Sequence, residues 1–348
     1  MPAETRRMIG YFKLMPHVNV AQAVADDLLS YARSWQPDLV ISDPMMLAAP
    51  LVAESLGVPL LHNLWGFFTA GRTPAPTRGM PPAEWPGELL DLYAQFDVRP
   101  RESYAVATID PVPSGLQTPG VPCRLSMRFV PYNGPGELPD WVERTSGRPR
   151  LCITLGTLVV NAIGQNAPLL HRLCAALADP GYEVIVAVSD TDRDSVGDLP
   201  GGIRVLVNLP LELLLPSCAA LVHHGGSGTM LTAGLLGLPQ AVFAISPEHT
   251  LGGEQLAAYG AGVLRNGHEA DETDIKDAVA AIRADSVRAA AERLRAEIEG
   301  MPTRPRWCPR WSPWPDSRHL HPRCRRYRMD DDVPGGGGRR FLVRPAGT

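Results

Sequence analysis

The sequence predicts an α/β protein whose second half is a doubly wound domain built on a parallel sheet, and three observations carry that prediction. Short runs rich in Val, Ile and Leu alternate with amphipathic stretches between residues 150 and 300. Those runs are nearly continuous in apolar residues, as strands covered on both faces must be. A glycine-rich turn joins one such run directly to a helix near residue 225. The length, 348 residues, leaves room for two domains.

In chain order, residues 20–35 read as an amphipathic helix with Val20, Val24, Leu28, Ala32 and Trp35 on one face, ended by Pro37. Asp38 to Ser42 is a β-branched run, Met46 to Leu56 an apolar helix stopped by Gly57, and Val58 to Leu61 the next strand. Together these make one βαβ unit. Residues 66–87, dense in Pro and Gly, read as a long surface loop, the kind that usually serves as a lid or binding loop. The expected domains are 1–131, a linker at 132–149 (YNGPGELPDWVERTSGRP), and 150–300. In the last, Leu151–Leu155, Glu183–Val188, Arg204–Val207, a strand ending at Val222, and Gln240–Ala244 are strands. Helices are expected at 168–178, 228–236, 254–259, 273–283 and 286–299. Residues 301–348 change character: Trp307, Trp311 and Trp314 stand among prolines and arginines, then three aspartates and four glycines, with neither helical nor strand period. This tail reads as disordered, and its composition fits out-of-frame translation of a GC-rich gene.

A net charge of −4 gives no electrostatic reason to expect nucleic acid or an anionic membrane as partner. The six cysteines show no CxxC spacing, so neither a disulfide framework nor a zinc site is expected. No secretory leader and no run of about 18 apolar residues is visible, and a reducing cytoplasm is the expected setting.

The chemistry concentrates in His223-His224-Gly225-Gly226-Ser227-Gly228-Thr229. A strand, a glycine turn and a helix N-terminus in succession make an anion site. The first-turn N–H groups are unsatisfied and point outward, and the helix dipole adds about half a positive charge. Gly225, Gly226 and Gly228 would let a phosphate approach the backbone, with the Ser227 amide between them, and Thr229 offers a hydroxyl. No Lys follows the last glycine, so this is not a Walker loop, and the spacing is not GxGxxG. His224 could donate to a diphosphate oxygen and, if protonated, offset its charge. His223, still on the strand, should point the other way.

The run LVHHGGSGTMLTAGLLGLPQAVF, with Tyr259-Gly260-Ala261-Gly262 after it, resembles the donor-binding signature of family 1 glycosyltransferases. The nearest subset is the actinomycete enzymes that attach deoxysugars to macrolide and anthracycline aglycones. The resemblance covers about residues 20–300. It implies a GT-B fold of two Rossmann-like domains, the N-terminal one incomplete here, and an inverting, metal-independent transfer from a dTDP- or UDP-sugar to a polyketide aglycone. No cofactor is implied, and the partners are donor and acceptor, with room for a homodimer or an auxiliary protein. By position, His224 and the amides from Gly226 to Thr229 would hold the diphosphate, bordered by Gly156 and Thr157. Glu248 and His249 fall where relatives hydrogen-bond the sugar hydroxyls, or else form a solvated loop pair. Asp43, ending the strand PDLVISD, falls where relatives orient a catalytic His, and could equally be a helix N-cap.

The sequence departs from the pattern in three places. The family's first strand and its GHxxP turn, which carry the catalytic His, have no counterpart before Asn19, and neither His17 nor His62 has that motif. Asn208 stands where relatives stack an aromatic residue on the donor base. The tail replaces a closing helix. Little transferase activity is therefore expected, and a non-catalytic nucleotide-sugar-binding or partner protein, or a defective gene product, are the alternatives. An epimerase on the same fold is a weaker rival.

Overall fold

The computed structural model describes residues 3–67, 75–121, 123–143, 147–156, 167–178, 181–190, 193 and 196–303, with side-chain surroundings from Leu14 onward. The described chain packs as two units. One comprises the residues up to Asp110 with Pro119–Ser126, the other Pro111–Thr118 with Met127–Thr303. The expected tail beyond Thr303 lies outside the described residues.

The first unit opens with a long helix, α1 (Ala3–Trp35), and continues β1 (Val40–Ser42), α2 (Ala49–Leu56), β2 (Leu60–Asn63), α3 (Gly87–Gln95), β3 (Ala107–Asp110) and β4 (Arg124–Ser126). Its four strands are all parallel, in the order β1-β2-β3-β4, so β1 is an edge. The expected helix face is corrected. Leu14, Val18, Ala21, Ala25, Leu29 and Ala32 are buried, whereas Val20 and Trp35 stand out in solvent. Val20, Val24, Leu28 and Ala32 repeat every four residues, and such a row drifts around a 3.6-residue helix by about 40° per step. The buried set mixes steps of three and four and stays on one side. Gly57, at φ +66, caps α2. Tyr93 is fully buried beneath this unit, its hydroxyl donating to the Leu47 carbonyl at 2.9 Å.

The second unit holds α4 (Asp140–Glu143), β5 (Arg150–Thr154), α5 (Ala167–Leu177), β6 (Glu183–Val188), β7 (Arg204–Val207), α6 (Leu211–Leu214), β8 (Ala220–His223), α7 (Ser227–Leu235), β9 (Gln240–Ala244), α8 (Pro247–Tyr259), β10 (Gly262–Asn266), α9 (Glu272–Ile282) and α10 (Asp285–Gly300). Its six parallel strands lie in the order β10-β9-β8-β5-β6-β7. Counted from β5, this is the 3-2-1-4-5-6 order of the doubly wound nucleotide-binding fold. The sheet is covered on both faces, and every residue of β5 and β9 is buried. Helix α8 starts at Pro247, seven residues before the sequence placed it. Ser246 caps it, accepting from the His249 amide, and Pro247 occupies the first helical position. Strands β3, β4 and β10 had no periodic signal because they are three to five residues long and only partly apolar.

A buried ion pair anchors the segment before β5. Arg150 Nε meets Glu183 Oε2 at 2.8 Å, and its guanidinium also donates to the carbonyls of Val142 and Trp141. Arg204 lies 4.3 Å over the Trp141 ring. Cys152, Cys174 and Cys218 are free and buried, as packing thiols, while Cys123 is disulfide-bonded, against expectation.

Candidate functional site

The strand order of the second unit reverses between β5 and β8, and ligands of open α/β sheets bind outside the carboxyl ends at that point. Thr154, ending β5, is the register partner of His223, ending β8. The two loops that leave these strands, through Gly156 and through His224–Gly226, therefore rise side by side. The sheet topology brings together two segments some seventy residues apart in sequence.

His224 fills the space between those loops. A Cβ on Gly156 would lie 2.6 Å from its Cε1, and one on Gly226 would lie 2.6 Å from its Nε2. The ring meets His249 edge-on, with centroids 4.6 Å apart. His224 is 5% exposed, and its Nδ1 is buried without a hydrogen-bond partner. Burial pushes its pKa down to about 3; neighbouring His249 works in the same direction, and the Thr154 carbonyl opposes it. Its protein surroundings alone hold the ring neutral, the form in which it can meet a ligand as a hydrogen-bond donor or acceptor; they do not favour the counter-charge that a protonated His224 would supply.

The glycines divide by what they face. Gly225, at φ +100, has no room for a side chain, since a Cβ would lie 2.9 Å from that of His249 and 3.0 Å from Val242. Its amide is already spoken for, donating to His223 Nδ1 at 3.2 Å. Gly226, the N-cap residue of α7, is required by His224. Gly228 differs: a Cβ there would meet nothing within 4 Å, and it is exposed. Internal packing explains the first two and leaves Gly228 facing open space. Ser227, Gly228 and Thr229 form the first turn of α7, whose first intrahelical bond runs from the Met230 amide to the Gly226 carbonyl. Their amides are the outward-pointing orphans of a helix start.

A second helix begins beside the first. Glu248 and His249 sit in the first turn of α8, not in a loop, so the solvated-loop reading of this pair is corrected. Glu248 is exposed and accepts from the Ser246 hydroxyl, and a carboxylate there complements the helix dipole. His249 turns inward against His224, its own Nδ1 buried and unpartnered. The Ser-Pro-Glu start signal was available in the sequence; the imidazole contact was not. Thr157 lies outside the described residues. Asn208 adopts φ +54, a left-handed conformation that Asn tolerates well, and its Oδ1 accepts from the Asp190 amide at 2.8 Å. That geometry accounts for Asn208 structurally. Among the described residues no three His, Cys, Asp or Glu side chains group as a metal site.

In the first unit, Asp43 follows β1 at the carboxyl edge of its sheet. One oxygen accepts from the Met45 amide at 2.7 Å and the other from the indole N–H of Trp65. His62, on β2, is the imidazole that feels the Asp43 charge, yet burial pushes its pKa down to about 4, with Asp43 opposing and Arg78 reinforcing the shift. No imidazole hydrogen-bonds Asp43 among the described residues; the Trp65 indole holds that position.

Residues 5–156 match the family described as Erythromycin biosynthesis protein CIII-like, N-terminal domain, and residues 171–307 match its C-terminal domain. The chain is 36% identical over 294 residues to the tylactone mycaminosyltransferase of Streptomyces fradiae, and 35% over 307 residues to the 10-deoxymethynolide desosaminyltransferase of Streptomyces venezuelae. The chain belongs to the erythromycin biosynthesis protein CIII-like family. The two alignments cover 80% and 84% of this chain, and they span 65% and 71% of the length of the two relatives. Among solved structures, spinosyn rhamnosyltransferase SpnG complexed with thymidine diphosphate superposes with a TM-score of 0.74 at 29% identity, covering 86% of this chain and 80% of that one. Glycosyltransferase VinC in complex with dTDP gives 0.68 at 29%, covering 87% and 80%. The parallel sheets of this CIII-like chain are thus those of GT-B glycosyltransferases. Its loop at 224–229 sits at the switch point of the second unit's sheet.

Proposed function

We propose that the chain binds a nucleoside diphosphate sugar through the loop 224–229 and belongs to an enzyme that transfers the sugar to a polyketide aglycone hydroxyl. The observation that carries the reading is the site's one unexplained glycine. Gly228 opens onto empty space in the first turn of α7, where orphan amides and the helix dipole favour an anion. The Ser227, Gly228 and Thr229 amides would take the diphosphate, the neutral His224 imidazole would donate to one oxygen, and Gly156 would border the same group. Glu248, exposed at the start of α8, and His249 beside it would take the sugar hydroxyls. The relatives' names, a mycaminosyltransferase and a desosaminyltransferase, support a deoxysugar donor, and two structural neighbours are complexed with thymidine diphosphate. Transfer by a single displacement would develop negative charge on the departing diphosphate. The helix start is a preorganised stabiliser of that charge, a contribution typically worth a few kcal/mol.

Titration calorimetry with thymidine diphosphate tests the reading. Gly228→Ala should leave folding intact or improve it by up to about 1 kcal/mol, because Ala is the better helix former. The same methyl should abolish measurable binding. His224→Ala should weaken binding by about 0.5–1.5 kcal/mol, the worth of a neutral hydrogen bond. EDTA should change neither value. Unaltered affinity in Gly228→Ala would sink the assignment, and binding that collapses in EDTA and returns with Mg²⁺ would sink its metal independence.

A further inference from the structure

Behind the loop lies a pair of polar side chains that the reading above does not use. His223 and Gln240 are both completely buried, on adjacent strands. The register pairs Leu221 with Gln240 and His223 with Val242, so His223, Leu221 and Gln240 share one face of the sheet, the face under α7. Leu221 and Ala233 there belong to an apolar cluster, in which a His and a Gln are out of place unless they serve each other. The Gln240 amide group donates from Nε2 to the Met230 carbonyl of α7 at 3.2 Å. Gln240 Oε1 and His223 Nε2 are both buried and make no hydrogen bond as placed, yet Gln240 is the neighbouring side chain that acts on the ring as a hydrogen-bond acceptor would, raising its pKa against burial. At the opposite side of the ring, His223 Nδ1 accepts from the Gly225 amide.

These contacts fix the chemistry of the ring. An Nδ1 that accepts carries no proton, so the proton of the neutral imidazole is on Nε2, directed to the Gln240 side. An amide oxygen can take that proton's hydrogen bond, and the amide nitrogen then has its hydrogens for Met230. If the ring took the other tautomer, Nδ1–H would face Gly225 N–H, donor against donor, and the loop would have to turn. Gly225 stands at φ +100, in the left-handed region, packed closely enough against His249 and Val242 to leave no room for a side chain. The direction of its amide sets how the next residues enter α7.

We propose that Gln240 is a positioning residue: by fixing the His223 tautomer it holds the Gly225 amide, and with it the 225–229 turn, in the anion-receptive orientation. The proposal rests on the reading of this loop as the diphosphate site. It assigns a function to a residue that touches no ligand.

The test uses the full chain, with histidine ring nitrogens labelled by ¹⁵N, and thymidine diphosphate as the probe. In the parent protein at pH 7.5, His223 should show the Nε2–H tautomer alone, an outcome independent of whether anything binds; an Nδ1–H ring would overturn the proposal outright. Gln240→Leu should mix the tautomers and weaken thymidine diphosphate about tenfold. Gln240→Glu, whose neutral carboxyl can accept from Nε2–H and donate to Met230, should restore a single tautomer and bring affinity to within about threefold of the parent. Equal affinity in Leu and parent, or equal loss in Leu and Glu, overturns the positioning role. A parent that binds no thymidine diphosphate while showing the Nε2–H tautomer indicts the binding reading and leaves the tautomer relay standing.

Discussion

The imidazole of His224 occupies the volume that a side chain on Gly226 would need, with Nε2 2.6 Å from the position of a Cβ. Gly226 has an ordinary φ of −59°, so no backbone strain accompanies a substitution there, only the clash. Gly226→Ala should therefore cost about 1–3 kcal/mol as overpacking. In a His224→Ala background the same change should cost less than about 0.5 kcal/mol. Urea unfolding of the four proteins gives the cycle. Additive costs would show that the ring does not fill that space.

Stability should fall on acidification well before carboxylates titrate. Burial holds His223 and His224 neutral, with pKa values pushed down to about 3, and holds His62 down to about 4. In the unfolded chain these rings protonate near 6.5. Above that value both states are neutral and nothing is lost. As pH falls below 6.5 the unfolded state takes up protons that the native state refuses, adding about 1.4 kcal/mol per pH unit for each ring, down to the native pKa. Thermal unfolding at pH 7.5, 6.5 and 5.5 should show a small change across the first step and a large one across the second. A Tm that is flat from 6.5 to 5.5 would contradict neutral, buried rings.

The Arg150–Glu183 pair should be expensive to break. Both side chains are almost wholly buried, and Arg150 also ties down the carbonyls of Val142 and Trp141. Glu183→Gln leaves a buried guanidinium without its counter-charge, a loss of typically about 3–5 kcal/mol. Chemical denaturation followed by tryptophan fluorescence should show it, Trp141 lying against both arginines. A loss under about 1 kcal/mol would mean that the remaining carbonyls and Arg204 rearrange to compensate.

Turnover by this chain should be slow. Asp43 is bonded to the Met45 amide and the Trp65 indole, and His62, the imidazole that feels its charge, is buried with its pKa lowered to about 4, which makes it a weak and enclosed base. General-base assistance is typically worth about 10²–10⁴ in rate. Incubation with dTDP- and UDP-sugars and polyketide aglycones, followed by mass spectrometry, should find product forming at least about a hundredfold below an ordinary ~1–10 s⁻¹. Full-rate turnover would show that another group acts as base.

Much of this was legible in one dimension. The strand runs of the second unit announced themselves because a strand buried on both faces must be largely apolar, and β5, β6 and β9 are apolar apart from Arg150, Thr154, Glu183 and Gln240 at their ends. The glycine turn between β8 and α7 was legible because a helix start and the glycines beside it are adjacent in sequence. The long helix α1 was only half legible, because half of its buried seam is alanine, which carries little hydrophobic signal.

What the sequence alone determined is the local arrangement on which the proposed anion site, or trap, rests: strand, glycines, helix start and the residues that border them. Tertiary structure decided what each member of that trap does. Only the 3-2-1-4-5-6 strand order lays Gly156 against His224, and only that enclosure removes water from the ring and makes it neutral. Only the β8–β9 register places Gln240 within reach of His223. Protonation and tautomer depend on surroundings in space. The chain order fixes which neighbours are adjacent in sequence, and the sheet fixes which neighbours, 17 residues away for Gln240 and His223 and 68 for Gly156 and His224, meet in space.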